Sequence, residues 1–274
     1  MQTFIHWLLK CTPVGLLLLL SSSASAARLT VEPDSSFFLH FGAAILLYAH
    51  IGGGAIGLLS GLIASLAPKG QKLHRFAGKI FFIAMFTSYL IGACVSPFLE
   101  TEQKTNFVAA ILALYLLVTG VLAAQRKTFR AGFAEKIGLI VALLITAMGV
   151  SFMVMSRQSV TGTVDGAPPQ AFILFVVLGA IASVGELNVI LRKTLTQRSR
   201  IIRHVWRMCL SFFIASGSLF FGQATLFPEW FNASLFPMIF GLFPIMVLII
   251  GITKTLRPKL SEFYTRLHLK KPSD

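Results

Sequence analysis

The sequence predicts an all-α polytopic membrane helix bundle with seven transmembrane helices behind an N-terminal export signal, its N-terminus outside and its C-terminus cytoplasmic. Three observations predict it. The 274 residues are 55% hydrophobic and only 12% charged, with mean hydropathy +0.79, whereas a soluble domain carries about a quarter charged residues. Seven apolar runs are each long enough to cross a ~30 Å hydrocarbon layer at 1.5 Å per residue. The lysines and arginines crowd onto alternate connections between those runs.

The first 26 residues read as a signal peptide. Lys10 precedes an apolar stretch from Cys11 to Leu20, and Ser21 to Ala27 contains the small-residue site Ala24-Ser25-Ala26. Cleavage is expected after Ala26. An uncleaved eighth helix is the alternative, although the apolar core is shorter than the ~20 residues of a spanning helix. The transmembrane domain then runs from 37 to 255, with segments at 37 to 66, 76 to 98, 106 to 124, 133 to 156, 170 to 191, 202 to 227 and 233 to 255. A basic cytoplasmic tail, 256 to 274, closes the chain. Backbone amides in lipid must be satisfied within each segment, and nothing alternates with the period of two that a barrel strand requires, so the segments are helices.

Orientation follows from charge. Lys69, Lys72, Arg75 and Lys79 lie on one connection; Arg126, Lys127, Arg130 and Lys136 on another; Arg192, Lys193, Arg198, Arg200, Arg203 and Arg207 on a third; and Lys254, Arg257, Lys259, Arg266, Lys270 and Lys271 at the tail. The alternate connections hold Arg28, Lys104 and Arg157, among acids such as Glu100, Glu102 and Asp165. The basic side is therefore cytoplasmic. A net charge of +14 would suggest nucleic acid in a soluble protein, but here it is the signature of membrane orientation, and the expected partner is the lipid bilayer, with no nucleic acid.

Several residues stand out as candidates for chemistry. Gly53, Gly57 and Gly61 recur every four residues in the first helix, so they stack on one face and let a neighbouring helix approach. His50 shares that face. It is either a ligand or proton-relay residue or a neutral imidazole bonded to a serine or carbonyl of the next helix. His74 and Arg75 enter the second helix, and Arg203, His204 and Arg207 open the sixth, all toward the cytoplasmic side. His74 and His204 come level there, so they could ligate a haem iron, or they could serve only as interfacial anchors. Glu186 lies inside the fifth span, where a charged carboxylate costs about 2.5 to 3.5 kcal/mol, so it should pair with Arg203, Arg207 or Arg75. Helix six continues a small, polar stripe through Met208, Ser211, Ala215, Ser218 and Gly222. Cys94 and Cys209 fall near opposite faces, so no disulfide is expected.

The pattern from His50 to Gly61, Lys69-Gly70, Leu73-His74-Arg75 and Gly78, Tyr115-Leu116 with Thr119, Arg203-His204-Val205-Trp206-Arg207-Met208 and Phe221-Gly222-Gln223 to Pro228 resembles a bacterial domain-of-unknown-function family of multi-pass membrane proteins, the 2306 type. The likeness spans about residues 40 to 230. It departs from the family at Glu186-Leu187-Asn188, where an arginine is expected shortly after the acid. The resemblance implies a polytopic fold in the bacterial cytoplasmic (inner) membrane and no particular activity.

Three functional readings follow. The first is a non-enzymatic protein that holds a ligand, b-type haem or quinone, toward the cytoplasmic side of the bundle, with His50, His74, Arg75, His204 and Arg207 as its contacts. The second is a transporter or lipid-handling protein lined by the helix-six stripe and Glu186. The third is a structural or assembly partner of another membrane protein or a further copy, without ligand. No hydrolase motif, phosphate loop or zinc signature occurs.

Overall fold

The computed structural model describes residues 37–126 and 129–268, with side chains for 41–126 and 129–256. The export signal expected over 1–26 and the side chains of the basic tail beyond 256 lie outside the described residues. The rest is helical: α1 (Phe37–Leu66), α2 (Lys72–Val95), α3 (Gln103–Gln125), α4 (Phe133–Gln158), α5 (Ile173–Arg192), α6 (Gln197–Phe220), the short α7 (Glu229–Asn232) and α8 (Phe236–His268).

Six helices, α1 to α5 and α8, are long and apolar enough to cross a membrane. The remaining predicted segment, 202 to 227, falls on α6, which is not among these six. That helix has 24 residues, ample for a crossing, but Arg198, Arg200, Arg203 and Arg207 crowd its first half. Its end also differs from the predicted 227. The chain leaves the helix at Phe220, and at Gly222 a Cβ would stand 2.6 Å from the Ser218 carbonyl oxygen, too close for a side chain without a shift. At α2 the helix begins at Lys72 rather than 76, after Gly70 turns the chain with φ 79°. Hydropathy misses this first turn because its residues are polar. The tail's backbone continues α8 as far as His268.

α3 lies at the centre. One apolar cluster joins it to α4, α5 and α6 through Leu112, Leu116, Ile145, Phe175 and Leu210. A second joins it to α2 and α6 through Phe81, Met85, Leu117 and Phe212. The opposite helix faces stay apolar and bare: Ile140 and Leu144 on α4 and Val184 on α5 are 58%, 55% and 67% exposed. Apolar surface on this scale suits a lipid environment rather than water.

The connections sort to two ends. At one, the Glu102 amide donates to the Asp165 carbonyl oxygen and Lys104 pairs with Asp165 at 2.7 Å, joining the α2–α3 and α4–α5 loops. At the other, two dipeptide strands, β1 (Phe129–Arg130) and β2 (Thr194–Leu195), pair antiparallel and join the α3–α4 and α5–α6 loops. This ladder was not expected from the sequence. Arg200 donates to the Arg126 carbonyl oxygen and Arg198 to that of Thr255, tying the start of α6 and the far part of α8 to this basic end.

Candidate functional site

The most charged buried cluster among the described residues forms where α3, α5 and α6 meet. It begins with small residues. A Cβ on Gly138 of α4 would lie 3.0 Å from Glu186 Oε1, and one on Gly179 of α5 would lie 2.5 Å from Thr146 Oγ1. Only glycine at these places lets α4 and α5 close up and the carboxylate lie flat against α4. Glu186 is six residues from the end of α5 at Arg192, about 9 Å along the axis.

Glu186 is fully buried and accepts three hydrogen bonds. Arg203 Nη2 donates to Oε2 at 2.5 Å, Arg207 Nη2 to Oε1 at 2.8 Å, and the Tyr115 hydroxyl to Oε1 at 2.7 Å. Arg207 Nη2 also reaches the Tyr115 oxygen at 3.2 Å. The guanidiniums lie against rings as well. Arg207 is 5.1 Å from the Trp206 ring centre and 5.3 Å from that of Tyr115, while Arg203 is 5.8 Å from Phe129, within the range of cation–π attraction.

The balance of the cluster is uneven. Two arginines face one carboxylate, leaving one surplus positive charge, and Arg207 Nε, Arg207 Nη1 and Arg203 Nε are buried without an acceptor. Buried donors ordinarily find a partner, because leaving one unpaired costs about 1 to 3 kcal/mol. Both carboxylate oxygens have donors while three guanidinium nitrogens have no acceptor, so the unmet demand of this site is for an oxygen acceptor or an anion.

A second buried carboxylate stands beside it. Glu135, which also falls within a predicted span, takes Arg126 Nη1 at 2.6 Å and the Gly132 amide at 2.7 Å. The sequence singles out Tyr115 only within the family-like pattern and gives neither residue a place in a site. The signal for Glu135 is an acid three residues inside a span, and for Tyr115 its place in that pattern and in an apolar run.

The histidines divide. His204 Nδ1 meets the Gly120 carbonyl oxygen at 2.9 Å, and His74 Nδ1 meets that of Ala64, also at 2.9 Å. A carbonyl only accepts, so Nδ1 carries a proton in both, which in a neutral imidazole leaves the Nε2 lone pair for a metal. The same Ala64 oxygen takes Lys69 Nζ at 3.1 Å, so His74 and Lys69 together cap the end of α1. Burial holds Lys69 below the ordinary lysine range, and the nearby Lys254 charge adds to this.

His50 bonds through Nδ1 to the Ser88 carbonyl oxygen at 2.9 Å, and Ser88 Oγ donates to the His50 carbonyl oxygen. This α1–α2 clasp lies on the face of Gly53, Gly57 and Gly61, where added Cβ atoms would meet Ala84, Met85 and Phe81. His50 is thus far from the Glu186 cluster in the fold, on the peripheral α1–α2 seam. Arg75 stays exposed on α2 and is not among the partners of Glu186. Cys94 and Cys209 are free thiols. No group of three or more metal-binding side chains gathers among the described residues.

No known protein family, curated protein or solved structure matches the chain.

Proposed function

We propose that the chain is a seven-span protein of the bacterial cytoplasmic membrane, of the multi-pass kind it resembles, entering behind a cleaved signal with its N-terminus outside and its tail inside. It holds an oxygen-bearing ligand at its cytoplasmic end. The observation that carries this reading is the surplus charge at Glu186, Arg203 and Arg207, with three buried guanidinium nitrogens lacking an acceptor. A quinone carbonyl or a haem propionate meets that demand. For haem, the free Nε2 atoms of His74 and His204 supply the ligand chemistry.

A structural reading is favoured by a different observation. The three bonds on Glu186 all come from protein groups on α3 and α6, so the cluster also serves as a lock between helices. Protein purified in mild detergent separates the two. A Soret band, or quinone in an organic extract at about one per chain, supports the ligand reading. Neither at any purification step leaves the lock.

A further inference from the structure

We propose that α6 is a conditional span, which crosses the bilayer only when Glu186 of α5 and Tyr115 of α3 are present to take up the charge of Arg203 and Arg207. The inference rests on the seven-crossing reading and goes beyond it. Among the long helices α6 alone fails the apolarity of a membrane span. Its four arginines are not equivalent. Arg198 and Arg200 bond backbone carbonyls at the basic end, where headgroups and water are close. Arg203 and Arg207 lie deeper, and Arg207 is seven residues beyond Arg200, about 10 Å further along the axis and inside a ~30 Å core.

Those two arginines are hidden from lipid, at 7% and 0% exposure. The polar groups beyond them are hidden as well. Ser211 donates to the Ala113 carbonyl oxygen of α3 at 3.1 Å and accepts Tyr89 of α2 at its own carbonyl oxygen at 2.6 Å. Ser216 donates to the Gly241 carbonyl oxygen of α8 at 3.0 Å. The carboxylate of Glu186 and the carbonyl oxygens of Ala113 and Gly241 thus answer the charge and the two serine hydroxyls that would keep α6 out of lipid. The decisive partner is also the nearest in sequence, since Glu186 precedes Arg203 and Arg207 by 17 and 21 residues across a connection of only four residues. α5 and α6 can therefore enter as one hairpin whose internal ion pair removes the charge penalty that α6 alone would meet.

The test uses the full-length chain with Cys11, Cys94 and Cys209 changed to serine and a single cysteine introduced by Glu229→Cys in the exposed α7. Intact cells are treated with a membrane-impermeant maleimide, and labelling is read per chain, with lysed cells as the measure of full reactivity. The parent is expected to label from outside. Glu186→Ala is expected to lower external labelling roughly tenfold or more, because two arginines then lack their counter-charge. Adding Arg203→Leu and Arg207→Leu to Glu186→Ala is expected to restore it. If Glu186→Ala labels like the parent, or the triple variant does not recover, the conditional span is wrong while the seven crossings stand. A parent that labels only after lysis overturns the crossing of α6 and the inference with it.

Discussion

Replacing Glu186 by glutamine keeps the size of the side chain and removes only its charge. The amide oxygen still accepts from Tyr115 and Arg207, whose donors stand 2.7 and 2.8 Å from Oε1. The amide nitrogen, however, faces Arg203 Nη2, now 2.5 Å away on the Oε2 side, so a donor meets a donor. Both guanidiniums lose their counter-charge in a site where Arg207 has no exposure at all. Removing one partner of a buried ion pair costs about 3 to 5 kcal/mol. Stacking on Phe129 and Trp206 persists, which sets the expectation at the lower end, about 3 kcal/mol, or roughly a hundredfold in the folded-to-unfolded ratio. The assay is detergent unfolding in mixed micelles followed by tryptophan fluorescence, to which Trp206 against Arg207 is a direct reporter. The leucine triple variant at 186, 203 and 207 should return to within about 1 kcal/mol of the parent, since a well-packed apolar replacement of a buried charge cluster is often neutral. A loss under about 1 kcal/mol for Glu186→Gln would refute the reasoning.

Other outcomes follow from single contacts. Gly138→Val pushes branched carbon into the space of the Glu186 carboxylate and should destabilise by about 1 to 3 kcal/mol in the same unfolding assay, while Gly52→Ala, where nothing lies within 4 Å of the added carbon, should be neutral or slightly stabilising. Gly57→Leu should open the α1–α2 seam, because even a Cβ would fall 2.2 Å from Met85 Cε; enhanced proteolysis near residues 67 to 71 would report it. Glu102 sits outside the spans, and burial raises its pKa above the ordinary 4.5. The folded chain therefore holds the proton more tightly than the unfolded chain, so this residue's contribution falls as pH rises from 4.5 through the raised value. Thermal unfolding between pH 4 and 8 should show that decline weakened in Glu102→Gln.

How far the sequence reaches depends on which physical quantity it carries. Length and hydropathy carry the helices, because a run of apolar residues has one solution in lipid. Charge alternation carries the sorting of loops to two ends. A buried carboxylate's need for a cation is likewise a cost argument that Glu186 states alone. Which atoms answer it is not local information. Tyr115 reaches Glu186 from 71 residues away, and the pairing of Phe129 with Leu195 in the short ladder depends on how α3 and α5 end against each other. Gly138 and Gly120 read as ordinary small residues until the register shows a carboxylate against one and Met208 and Arg207 against the other. Hydropathy starts α2 and α6 late because their first turns are polar, and it overruns the end of α6 because Leu226 and Phe227 beyond the helix are apolar.

The ligand content of the full-length protein, purified without added cofactor from membranes that make both haem and quinones, bears most directly on the central functional claim. About one haem or one quinone per chain is expected in the parent, lost in Arg207→Leu and kept in Arg75→Ala, whose side chain stands apart from the Glu186 cluster. Parent protein that carries neither, with the Glu186 cluster intact by its unfolding profile, would contradict the claim.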